Sequence, residues 1–214
     1  MREIPVRDAA VAETSGAAAE GRPQRADARR NRDRLLESAV RAFTRDGLEA
    51  TLDAVAKDAG VGIGTLYRHF PTRESLVEAA YRNELTKLCE SVAELGESLP
   101  ADRAMREWLN RFTDYMGAKR GMAEVLRALI ASGGNPYAHS RDRLLEAITT
   151  LLRAGTESGA LRPDVDPGDI LASLSGISLI TSQPDQREQA GRLLDLLMDG
   201  LRYNSPIAGS RTGE

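Results

Sequence analysis

Within five residues the chain sets Thr65, Tyr67, Arg68 and His69 around one leucine, Leu66, so hydroxyl, guanidinium and imidazole donors crowd a short stretch. Donors of these kinds suit recognition of a polyanion: hydroxyls reach phosphate oxygens, and an arginine fork pairs bidentately with guanine. Bond-breaking chemistry has no comparable support. The sequence holds no Gly-rich phosphate loop, no His or Cys pair at metal spacing and no G-x-S-x-G elbow. A single cysteine, Cys89, excludes an internal disulfide, and with His69 and His139 it makes too small a set for a structural metal site. No catalytic residue, metal or cofactor is expected.

The elements that must hold these donors are helical. From near Asp27 the apolar residues Leu35, Leu36, Ala39, Val40 and Phe43 recur at helical spacing until Gly47. Thr51 then reads as the N-cap of a short helix carrying Leu52, Val55, Ala56 and Ala59, which ends at Gly60. The following segment, Val61 to Phe70, is about two turns long and stops before Pro71. Val61, Leu66 and Phe70 are predicted to face inward, leaving Ile63, Gly64, Thr65, Tyr67, Arg68 and His69 on or near the exposed side. Thr72 is predicted to be a simple N-cap rather than a capping box, opening a long helix toward residue 94 with Leu76, Ala79, Ala80, Leu85 and Leu88 as its stripe.

Beyond Pro100, breaks near Arg120-Gly121, Gly133 to Pro136, Gly155 to Pro167 and Gln183-Pro184 leave helices at about 102–118, 121–131, 137–157, 167–181 and 185–202. No strand candidate emerges. The expected fold is all-α with about nine helices: a disordered tail over 1–24, a helix-turn-helix domain over 25–72, a larger helical domain over 73–203 and a disordered tail over 204–214.

A composition of 41% hydrophobic and 29% charged residues fits a soluble globular chain. No apolar run approaches the roughly 20 residues that span a bilayer, and the N-terminus lacks a secretory signal, so a cytoplasmic protein without membrane contact is expected. The net charge of −3 conceals a gradient. Arg22 to Arg34 holds six arginines against two acids, whereas Asn83 onward carries 15 basic and 19 acidic residues. A basic front joined to an acidic body suits a nucleic-acid reader attached to a part with another task.

The run from Leu52 to Phe70, with its Ala59-Gly60-Val61, Thr65-Leu66-Tyr67 and His69-Phe70 groups, followed by Arg73-Glu74 and Leu76, resembles the DNA-binding signature of the TetR family of transcriptional regulators. The resemblance covers about residues 30–80. It implies phosphate contacts from Tyr67, His69, Thr51 and Thr65, and from Arg73, where the family commonly has lysine. It also implies that Ile63, Gly64, Thr65 and Arg68 meet bases, Ile63 at a thymine methyl, Arg68 at guanine and Gly64 by close approach. Alternatives stay open at single positions: Tyr67 packing across the first helix, Arg68 as a solvated charge, and the arginines from Arg22 to Arg32 either reaching DNA or merely solubilising a tail.

The resemblance further implies a homodimer on a palindromic double-stranded operator, acting most often as a repressor, and a small-molecule ligand that loosens DNA binding. Helix-turn-helix proteins pair because one recognition helix buries too little surface, with half-sites about 34 Å apart. Leu174, Ile177, Leu193, Leu197 and Leu201 are the candidate dimer residues; a place in the monomer core is the competing reading for part of this set. Trp108, Phe112, Met116, Met122 and Leu126 are the candidate ligand-binding residues, although a core uses the same types. Two other readings compete: a DNA-binding protein without ligand control, as constitutive repressor or architectural factor, and a redox sensor acting through Cys89.

Overall fold

The structure, a computed structural model, describes residues 21–181 and 183–202. Among them lie nine α-helices and no strand: α1 (Gly21–Asp46), α2 (Leu52–Asp58), α3 (Ile63–His69), α4 (Arg73–Ser98), α5 (Ala101–Gly121), α6 (Ala123–Ala131), α7 (Ser140–Glu157), α8 (Pro167–Ile180) and α9 (Arg187–Arg202). A one-turn 3-10 helix, Gly47–Glu49, joins α1 to α2, and another, Pro184–Gln186, precedes α9. The all-α expectation is correct. No helix among the described residues is long and apolar enough to cross a membrane.

Local sequence explains most boundaries. Gly47 and Gly60 adopt positive φ, 56° and 66°, where a side chain would be strained, and they close α1 and α2. Asp166 caps α8 by accepting from the Gly168 amide, with Pro167 in the first turn, where its missing N–H costs nothing.

Four expectations need correction. α1 begins at Gly21 rather than near Asp27, so residues 21–24 are helical; the rest of the expected tail, 1–20, and the tail over 204–214 lie outside the described residues. Thr72 does form a capping box. Its hydroxyl accepts from the Ser75 amide at 3.0 Å, and the Ser75 hydroxyl accepts from the Thr72 amide at 3.2 Å, serine doing the work usually given to Glu or Gln. α4 and α5 run to Ser98 and Gly121, beyond their expected ends near 94 and 118, and Gly96 stands in open space within α4 without breaking it. α7 starts three residues late because His139 is left-handed, with φ 59°, and ends the irregular turn after Pro136.

One apolar core runs from Leu35 in α1 to Leu201 in α9. Its largest fully buried side chains include Trp108, Tyr81, Phe43 and Phe112. α4 is the axis of the molecule, packing on α1 at its front and on α5 and α7 along its length. The Trp108 indole donates to the Leu88 carbonyl at 3.0 Å and the Tyr81 and Tyr115 hydroxyls lie 2.6 Å apart, whereas the buried Asn83 amide nitrogen and Ser178 hydroxyl have no partner among the described residues. Burial and the neighbouring Tyr81 push the Tyr115 phenol far above its ordinary range, so it stays protonated.

Candidate nucleic-acid interface

The front of the molecule is a short pair of helices held down by polar groups. α2 and α3 have seven residues each, too few to be stable alone. Val55, Ala56 and Leu66 sink into the core against α1, and Phe70 closes α3 beside them. The fully buried Ser38 hydroxyl of α1 lies 2.9 Å from the Val55 carbonyl and 2.7 Å from an Asp58 carboxylate oxygen, its single proton serving one at a time. Arg41 donates to the same carboxylate at 2.7 Å. These bonds tie α2 to α1, and the guanidinium, then the hydroxyl, holds the Asp58 carboxyl below its usual range.

The outward face of α3 carries what its inward face cannot explain. Tyr67 is 49% exposed. Arg68 beside it is also exposed. A Cβ placed on Gly64 meets nothing within 4 Å, so the surface there is flush with the backbone. Thr65 and His69 are half-buried at the edges of the face. Thr51 is exposed and caps α2 by accepting from the Ala54 amide at 3.2 Å, which leaves its own proton free to donate. From α1, Arg32 stands over the Phe70 ring at 5.7 Å, bringing one residue of the arginine-rich stretch beside the end of α3.

Two of the eight expected DNA-facing residues behave otherwise. Ile63 is half-buried and leans on the core, so only part of it is available to a base. Arg73 faces inward: its guanidinium donates to the carbonyls of Gly47, Leu48 and Ala50 and lies over the Phe43 ring. Two of these carbonyls belong to the 3-10 turn Gly47–Glu49 and the third, Ala50, is its C-cap.

Comparison with known proteins agrees with this geometry. Residues 35–80 match the family described as bacterial regulatory proteins, tetR family, and residues 100–203 match the family described as transcriptional regulator SbtR-like, C-terminal domain. A TetR transcriptional regulator from Streptomyces coelicolor, known from its crystal structure, is 53% identical, covering 81% of this chain and 99% of that one with a TM-score of 0.78. The chain belongs to the TetR family. It is a DNA-binding transcriptional regulator, in a family that is not enzymatic. A TetR regulatory protein from Mycobacterium vanbaalenii is 30% identical, covering 85% of this chain and 100% of that one with a TM-score of 0.70. The HTH-type transcriptional repressor AcnR of Corynebacterium diphtheriae is 29% identical over 82% of this chain and 93% of its own length.

In this TetR-family chain the body departs from the residue-level expectations. Trp108, Phe112, Met122 and Leu126 are at most 1% exposed, and neither they nor the half-buried Met116 line the principal cavities. They are core. Bulky side chains fill space, and a groove of about 710 Å³ between α4 and α7 is found where side chains are small or charged, its lining including Val92, Ala93, Gly96, Ala147, Glu97 and Arg143. Nothing in the apolar pattern marked it. Cys89 also borders the groove; burial pushes its thiol up, which disfavours the thiolate a redox sensor needs.

The dimer candidates divide. Leu174 and Leu201 are buried within the monomer, whereas Ile177, Leu193 and Leu197 are half-buried. The residues that stand out are others: Leu179 at 73%, Ile180 at 59% and Leu196 at 67% exposed. Their neighbourhood holds the signal, since α8 has more apolar positions than one inward stripe uses.

Proposed function

We propose that the protein is a homodimeric repressor that reads a palindromic operator with α3 in the major groove and is released by a small molecule bound in its helical body. The observation that carries the DNA half is the division of α3: Leu66 is fully buried while Tyr67 is half exposed, beside a glycine with open space over it. A recognition helix needs one face fixed to its domain and one face bare, with small residues where the backbone approaches DNA. Tyr67, Thr51, Thr65 and His69 serve the phosphates; Arg68, Gly64 and the free part of Ile63 serve the bases. Repression follows the name of the Corynebacterium diphtheriae relative.

Pairing is supported by the bare leucines and isoleucine of α8 and α9, an apolar patch that a second copy would cover. Ligand control is supported by the groove between α4 and α7 and by α4 itself. α4 has 26 residues, about 39 Å at 1.5 Å per residue, with the groove residues in its second half and its first turn against the DNA-binding head. A ligand that prefers one tilt of α4 shifts the two heads together.

Selection of bound duplexes from a random pool tests the core of this reading, because it reports specificity, symmetry and half-site spacing in one experiment. A two-fold symmetric motif is expected. On the selected duplex, Tyr67→Phe weakens binding to every sequence, and Arg68→Ala relaxes preference at one base pair by about 1–3 kcal/mol. Enrichment of no motif, or wild-type binding by both variants, would sink it.

A further inference from the structure

Arg73 opens α4, yet its side chain serves the segment in front of α2. Nη2 donates to the Leu48 carbonyl at 2.9 Å and to the Gly47 carbonyl at 3.3 Å, Nη1 donates to the Ala50 carbonyl, and the guanidinium carbon stands 5.0 Å from the centre of the Phe43 ring. A guanidinium has five N–H donors, and its two forks, Nε–H with Nη2–H and Nη1–H with Nη2–H, each need one proton of Nη2. With both protons of Nη2 committed, neither fork keeps two free donors. Bidentate capture of a phosphate is closed while this arrangement stands.

The segment it holds has little else to fix it. The 3-10 turn Gly47–Glu49 contains no buried residue, Leu48 is 47% exposed, and a cavity of about 190 Å³ lies between Leu48, Arg73 and Val77 on one side and Val125 and Leu129 of α6 on the other. Apolar packing therefore anchors the segment only at its end, where Ala50 is buried. Thr51, the cap of α2, follows Ala50 directly.

We propose that Arg73 is a positioning residue for DNA binding: reaching from α4, it fixes the three carbonyls before α2 and so sets the angle at which α2 and α3 meet the duplex. Lysine cannot replace it here. One ammonium does not span three separated carbonyls while lying flat on an aromatic ring, whereas it still supplies the point charge that a phosphate contact needs.

The test uses the full chain, with Arg73→Lys and Arg73→Met, on the selected duplex and on random duplex at several salt concentrations, well below each variant's unfolding midpoint. Both variants should bind the selected duplex at least about tenfold more weakly, with less change on random DNA and an unchanged dependence of affinity on salt. Three results overturn the proposal. Wild-type affinity in Arg73→Lys, with Arg73→Met lowering the salt slope by about one, means a direct phosphate contact. Wild-type affinity in both folded variants means a role in stability alone, as does failure of both to fold.

Discussion

The DNA-binding head, α1 to α3, and the body, α4 to α9, share one core but differ in what they leave outside it. The head exposes a tyrosine and an arginine on a helix of seven residues; the body hides its tryptophan and phenylalanine completely and exposes leucine and isoleucine on α8 and α9. In each region the working surface is the place where residue type and exposure disagree. A half-bare tyrosine suits a polyanion, and bare leucines suit another apolar surface. Residue size alone misleads, because in the body the bulky side chains were spent on packing and the groove fell to alanine, glycine and valine.

The sharpest way to break this comparison is to treat a body residue as if it did ligand work. Trp108→Ala should cost about 3–5 kcal/mol of stability, since the indole is fully buried and stacks near Phe112 at 6.0 Å between ring centres. Denaturant unfolding reads the loss. A change below about 1 kcal/mol would mean that the site is a relaxed pocket wall and not core.

Two glycines sharpen the comparison further, one at the joint of head and body and one on the head's bare face. A Cβ on Gly121, the last residue of α5, would lie 2.4 Å from Thr44 Cγ2 and 2.9 Å from Thr44 Cβ on α1. Gly121→Ala should therefore force α1 and α5 apart and cost about 1–3 kcal/mol, more than the better helix former returns at a helix end. Gly64→Ala should do the reverse: thermal stability rises by about 0.5–1 kcal/mol, because nothing is displaced and the backbone is less free when unfolded, while affinity for the selected duplex falls. If Gly64→Ala binds DNA like the wild type, the backbone of α3 does not approach the bases.

The same contrast decides what could be read from the chain alone. The head is written in local terms: Gly60 between two short helices, the stop at Pro71, and the cap at Thr51 all depend on near neighbours, and all are in place. Arg73 shows the limit even there, because its partners at 47, 48 and 50 lie more than twenty residues away and meet it only after folding. In the body the helices were legible and the groove was not. A stripe such as Trp108, Phe112 and Tyr115 states that one face is buried, and the face it covers depends on α4 and α7. Exposure at Leu179 and Leu196 is likewise settled by which side of α8 and α9 reaches α5 first.

The smallest effect tests whether the head is held as its polar groups suggest. The Arg41 guanidinium, with the Ser38 hydroxyl, depresses the Asp58 carboxyl below its ordinary value of 3.8. The ionised group therefore adds stability that is fully present above that ordinary value and is lost as pH falls through the depressed one. Its side chain is 54% exposed, so the contribution is small and screened by salt. Asp58→Asn should flatten acid destabilisation below about pH 4 in the head. The body supplies the control, because Trp108 lies within it and its fluorescence follows the body alone, whereas amide exchange at Val55 and Ala56 follows α2. Wild type and Asp58→Asn should differ at Val55 as acid is added and agree at Trp108. Equal acid profiles at both probes would mean that the Ser38 contact to the Val55 carbonyl, which does not titrate, holds α2 by itself.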